Sequence, residues 1–118
     1  MTKHRYNQTE REAIAACEAI KANGSGSFRI VWVKSRTWGH NPNVKYNGYT
    51  VGKASGCGYD KESAALADFL RFLAPDGNVY AASGAGFGAV VRVLDEAGWT
   101  LEKTYSGKSE DGYSITRK

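Results

Sequence analysis

The chain has 118 residues, 42% of them hydrophobic and 24% charged, enough for one domain with a single core and no need of a second, so the reading is one α+β domain over residues 1–118. Sixteen Lys and Arg against twelve Asp and Glu give a formal net charge of +4. There is no run of apolar residues long enough to span a membrane, the opening Met-Thr-Lys-His-Arg lacks the apolar stretch of a signal peptide, and the two cysteines have no ligand-like spacing; a cytoplasmic protein with reduced thiols is expected.

In chain order, Thr9-Glu10-Arg11-Glu12 reads as a capping box that starts a helix. Ile14, Cys17 and Ile20 give that helix an apolar stripe, and Asn23-Gly24-Ser25-Gly26 ends it. The β-branched and aromatic run from Phe28 to Arg36 predicts a strand with Tyr49 to Ala54 as its partner, joined by a long polar hairpin tip, Thr37 to Asn43. Asp60 is the expected cap of a second helix, whose Leu66, Phe69, Leu70 and Leu73 share one face, and Ala74-Pro75-Asp76-Gly77 closes it in a turn. Val79 to Ala82 reads as a short extended piece. A third helix follows with Phe87, Val90, Val91 and Leu94 on one side and Gly98 as its stop; Asp95 and Glu96 oppose its dipole, so Lys or Arg neighbours are expected there. Trp99 to Tyr105 and Tyr113 to Arg117 then form a final hairpin around residues 106–112. The expected order is α-β-β-α-α-β-β, an antiparallel sheet of about four strands with helices on one face.

The charge is unevenly distributed. Residues 19–59 carry Lys21, Arg29, Lys34, Arg36, Lys45 and Lys53 with no Asp or Glu, so this segment alone contributes +6 and the remainder sums to −2. Phe28, Trp32, Trp38, Tyr46, Tyr49 and Tyr59 are interleaved with those cations. Basic and aromatic side chains together suit phosphates, nucleotides or an acidic protein face, although Lys and Arg also fill ordinary solvated strand faces. The expected partner-binding residues are Lys34, Arg36, Trp38, His40, Lys45, Lys53 and Lys61.

Ala54-Ser55-Gly56-Cys57-Gly58-Tyr59 is echoed 28 residues later by Ala82-Ser83-Gly84-Ala85-Gly86-Phe87, each time ahead of an expected helix. Such turns either aim backbone amides at an anion, which would make Gly56, Cys57, Gly58 and Tyr59 an anion site, or only allow a tight bend and close packing. A small phosphorylated ligand, such as a nucleotide, is the functional alternative to the basic hairpin. Neither turn has the P-loop or dinucleotide fingerprint. Cys57, His40 and Asp60 supply the residue types of a nucleophilic triad, but nothing in their spacing brings them together, so no enzyme is expected. His4 and His40 with two distant cysteines match no zinc pattern, and neither metal nor cofactor is expected.

The run Ala54-Ser55-Gly56-Cys57-Gly58-Tyr59-Asp60-Lys61-Glu62-Ser63-Ala64-Ala65-Leu66-Ala67, with Gly84-Ala85-Gly86 and Ser106-Gly107-Lys108, resembles small proteins carried by bacteriophages and mobile elements. The likeness covers about half the chain. It implies an accessory role such as antagonising a host defence system in the manner of anti-CRISPR proteins, with a nucleic acid or a host defence effector as partner.

Overall fold

The computed structural model describes residues 5–36, 39–54 and 61–118. Within them a five-stranded antiparallel sheet is covered on one face by helices, an α+β fold.

Helix α1, Gln8–Asn23, starts earlier than expected. Its cap is Asn7, whose Oδ1 accepts the Glu10 N–H at 2.8 Å while Glu10 Oε1 accepts the Asn7 N–H at 3.0 Å. Asn caps at least as well as Thr, and the expected partner Glu12 takes the Gln8 amide instead. Ala13 and Ala16 replace half-buried Ile14 on the core face beside Cys17 and Ile20, and Gly24 (φ 77°) ends the helix by donating its N–H to the Ile20 carbonyl.

The chain then forms β1 (Ser25–Lys34), β2 (His40–Tyr46) and β3 (Tyr49–Lys53). Strand β2 corrects the sequence reading. Its first four residues, expected in the hairpin tip, pair with β1 from Lys34↔His40 to Val31↔Asn43, the ladder runs on to Arg29↔Lys45, and β3 pairs with β2 rather than with β1. Pro42 is tolerated because its carbonyl points to the β3 side, where it accepts the Ala54 N–H just beyond the end of that strand, so the missing Pro donor costs no interior ladder bond. Asn47 (φ 50°) and Gly48 (φ 84°) make the two-residue turn between β2 and β3. A register shift at Val44/Lys45 leaves Val51 as an extra residue, and Val51 and Gly52 are both buried.

Helix α2, Lys61–Leu70, lies across β2 and β3 and buries Leu66, Phe69 and Leu70 as expected, with Leu73 4% exposed just beyond it. Gly52 lets it approach, since a β-carbon there would stand 2.5 Å from the Ala65 carbonyl oxygen. Residues Val79–Ala82, expected to be extended, form the one-turn helix α3 between 3₁₀ turns at Pro75–Gly77 and Ser83–Ala85; Asn78 turns the chain into it at φ 55°. Helix α4, Phe87–Glu96, buries Val90 and Leu94. Its C-terminal Asp95 is met by Lys118, the cation expected there.

Strands β4 (Trp99–Ser106) and β5 (Glu110–Arg117) complete the sheet in the order β3-β2-β1-β5-β4. Strand β5 begins three residues before the expected Tyr113, because Glu110 and Asp111 pair with Val31 and Ile30, and it buries Asp111 to 6% exposure. Phe28 packs edge-on to Phe69 at 5.1 Å and parallel to Tyr113 at 5.7 Å, tying β1, α2 and β5 into one core. Alternation along β1 sends Phe28, Ile30 and Trp32 toward the helices and leaves Arg29 and Val33 exposed on the other face. No helix among the described residues is long and apolar enough to cross a membrane.

Candidate polyanion-binding end of the sheet

Lys34 closes β1 and His40 opens β2, and the two face each other in register at the far end of that strand pair. Ser35 and Gly39 continue the contact, the Ser35 N–H donating to the Gly39 carbonyl. Lys34, Arg36, His40 and Lys53 are exposed. Lys34 and Lys53 line a depression of about 440 Å³ together with Asn41, Asn43 and the carboxylate-bearing Asp68. Lys61, the first residue of α2, reaches the same place: its Nζ donates to Asn41 Oδ1 at 3.1 Å and lies 3.5 Å from the His40 carbonyl. That ammonium covers the stretch of β2 edge beyond the end of β3, a common way of protecting an unpaired strand edge. Four expected residues, Lys34, His40, Lys53 and Lys61, are therefore brought together from four elements.

Lys45 is not with them. It stands next to Arg29 in the β1–β2 register, and its ammonium donates to Thr50 Oγ1 across the β2–β3 pair. Trp38, Gly56, Cys57, Gly58, Tyr59 and the expected cap Asp60 lie outside the described residues, and with them the first glycine turn and the Cys57-His40-Asp60 constellation. The second glycine turn differs from the sequence reading, because Ala82 ends a helix rather than an extended stretch. Gly86 caps α4 at φ 99°, a backbone conformation that favours glycine, with no side-chain cap bond.

The freedom from acids along residues 19–59 does not carry over into space. Strand β5 sets Glu110 against Arg29 at 3.1 Å, and Asp68 of α2 accepts the Lys53 N–H at 3.2 Å. Burial raises the Asp68 carboxyl above its ordinary value, opposed by that N–H and by Arg71. Cys17 is also removed from chemistry: its thiol is buried against the Phe69 carbonyl, and burial pushes its pKa up to about 12. Among the described residues no cluster of three or more His, Cys, Asp or Glu is placed to hold a metal ion.

A second depression, of about 360 Å³, adjoins His40 and is lined by Trp32, His40, Lys108 and Ser109. Lys108 was not among the expected site residues. Seventy-four positions separate it from Lys34, and only the β1–β5 pairing, continued by the Trp32 N–H to the Ser109 carbonyl at 3.0 Å, brings the β4–β5 turn to this end of the sheet. No protein-family model matches the chain, and no curated protein or solved structure is significantly similar to it.

Proposed function

We propose that this is a non-catalytic binding module that engages a polyanionic partner at the Lys34/His40 end of its sheet. The partner in this reading is a nucleic acid or the acidic surface of a nucleic-acid-handling host effector, and the role is an anti-defence one of the anti-CRISPR kind, as the resemblance to phage and mobile-element proteins implies. One observation carries the reading: Lys34, Lys53 and Lys61 come from β1, β3 and α2 to a single place, with the Asn41 and Asn43 amides between them. Cations gathered from distant parts of a chain set up a local positive field that steers and holds phosphates. Asp68 at the margin reduces that field, and its bond to the Lys53 N–H gives it a structural task as well.

The test is charge reversal read against salt. Lys34→Glu with Lys53→Glu should weaken binding to nucleic acid or effector more than ten-fold and flatten the dependence of log K on log salt. The thermal midpoint should stay within a few degrees, since both side chains are exposed. Undiminished binding by the folded double variant would refute this placement of the site.

A further inference from the structure

Resting on that reading, we propose that the depression beside His40 is a base-stacking subsite, so that the partner is a single-stranded nucleic acid and not a duplex. Trp32 packs against the core and also lines this depression, while the Ser109 carbonyl holds its backbone. An indole so anchored offers a π-surface to an incoming ring with little side-chain entropy left to lose. Lys108 stands at the same depression as a cation for the neighbouring phosphate, and His40 offers ring nitrogens for hydrogen bonds. The described residues of its lining include no carboxylate, unlike the Lys34/Lys53 depression with its Asp68. The volume of about 360 Å³ falls within the range of pockets that take small planar groups.

The two depressions meet at one register pair. Lys34 lines the first and His40 the second; the first also takes in Val33 and Asn41 of the open face whereas Trp32 lies on the helix side, so a strand crossing the end of β1–β2 from one face to the other can set phosphates against Lys34 and Lys53 while an adjoining base drops onto Trp32. A duplex keeps its bases stacked on one another and has no free face for the indole, so only an unpaired strand uses both halves of the surface.

The experiment titrates ¹⁵N-labelled full-length protein with a twelve-nucleotide single strand, with the duplex of the same length, and with a mononucleotide, following the indole Nε1–H signals; Trp32→Phe identifies the one that belongs to Trp32. The single strand should shift that signal and bind at least ten-fold more tightly than the duplex. Lys108→Glu, at an exposed turn, should weaken single-strand binding several-fold. Trp32→Leu should weaken it about ten-fold and Trp32→Phe much less, because phenylalanine keeps a π-face. Lys108 and Phe variants keep the test decisive should Leu impair folding. An unmoved Trp32 signal, or a duplex that binds as tightly as the single strand, overturns the inference; if binding then still requires Lys34 and Lys53, the broader polyanion reading stands. A mononucleotide that binds as well as the oligonucleotide overturns it too, since the site would then be a small-ligand pocket.

Discussion

Strand β1 divides the sheet into two wings that are built alike and use charge differently. Each wing is a two-stranded antiparallel extension with one register shift, at Val44/Lys45 in the β2–β3 wing and at Lys103/Tyr105 in the β5–β4 wing. In the β5–β4 wing three cations are engaged within the fold, while Lys108 at the β4–β5 turn is exposed. Lys103 Nζ lies 3.1 Å from Glu62 and 4.0 Å from Asp111, Lys118 pairs with Asp95, and Arg117 lies over Trp99 while donating to the Lys21 carbonyl. In the β2–β3 wing and at the adjoining end of β1, Lys45 bonds to a neutral oxygen, and Lys34, Arg36 and Lys53 form no side-chain ion pair among the described residues. Charge neutralised inside the fold serves packing, whereas charge left in solvent is available to a partner. Apart from Lys108, the same residue types are thus placed differently on either side of one strand.

The largest expected effect contrasts a glycine from each wing. Gly52→Ala would put a β-carbon 2.5 Å from the Ala65 carbonyl oxygen and 3.1 Å from the Phe69 nitrogen, both backbone atoms of α2, so the helix itself has to move. A loss of about 2 to 3 kcal/mol in urea unfolding is expected. At Gly112 the nearest atoms are the side-chain Thr104 Oγ1 at 3.1 Å and Tyr105 Cβ at 3.2 Å, in an edge strand that can yield. There alanine should cost less than about 1 kcal/mol. Equal losses would show that α2 is no more rigidly seated than β4.

Next in size is Lys103, the counter-charge of the β5–β4 wing. Lys103→Met leaves buried Asp111 and partly buried Glu62 facing each other and should cost about 1 to 2 kcal/mol near pH 7, less than a fully buried pair because the lysine is itself more than a third exposed. Glu62 gives the loss a pH signature. Burial, aided by Asp111 and opposed by Lys103, holds its folded-state carboxyl above the ordinary 4.5. A raised carboxyl binds its proton more tightly when folded, so its contribution is largest below about 4.5 and is lost as pH rises through the folded-state value. Stability from this group therefore increases on moving from neutral pH toward 4.5, and Asp68 contributes with the same sign. Urea titrations from pH 4.5 to 7.5 should show the Lys103→Met deficit shrinking at the acid end, and Glu62→Gln flattening the profile with little or no loss at pH 7.

The two wings were unequally legible in the sequence. In the hairpin of Trp99–Ser106 and Glu110–Arg117, β5 shows alternating burial and β4 only over its first three residues, and only the hairpin's length differs from the expectation, because Glu110 and Asp111 read as loop until Val31 and Ile30 provide partners. Strand β2 was hidden because His40-Asn41-Pro42-Asn43 has poor strand propensity and its pairing is imposed by β1. A local signal was nevertheless present: Asn47-Gly48 between Val44-Lys45-Tyr46 and Tyr49-Thr50-Val51 is a strong two-residue hairpin turn, and it implies a strand just before Asn47. The helical faces of α2 and α4 were plain from their spacing. For the candidate site, the cations of residues 34–61 could be named from composition, but which of them converge could not. Lys45 leaves the group, and Lys108 and the first depression's Asp68 enter it, through long-range pairing that local sequence does not encode.

The smallest change in stability should accompany the sharpest test of the division itself, because Arg29 and Glu110 form an ion pair between β1 and the β5–β4 wing. Their side chains are 56% and 41% exposed at a separation of 3.1 Å, so the pair is screened by water and should contribute no more than about 0.5 kcal/mol. Glu110→Gln removes the carboxylate and leaves the Arg29 guanidinium beside Lys45, its neighbour in register on β2. The basic surface then extends from Lys45 onto β1 without a compensating acid at that position. If the β2–β3 wing is the polyanion surface, the variant should bind nucleic acid several-fold more tightly at low salt, with the slope of log K against log salt steeper by about one unit for the added phosphate contact. Unfolding curves should overlay those of the wild type. Unchanged affinity with unchanged stability would place Arg29 and Lys45 outside the contact surface and confine binding to the Lys34/His40 end. Weaker binding would mean that Glu110 itself meets a cationic group on the partner, an outcome that favours a protein surface over a nucleic acid.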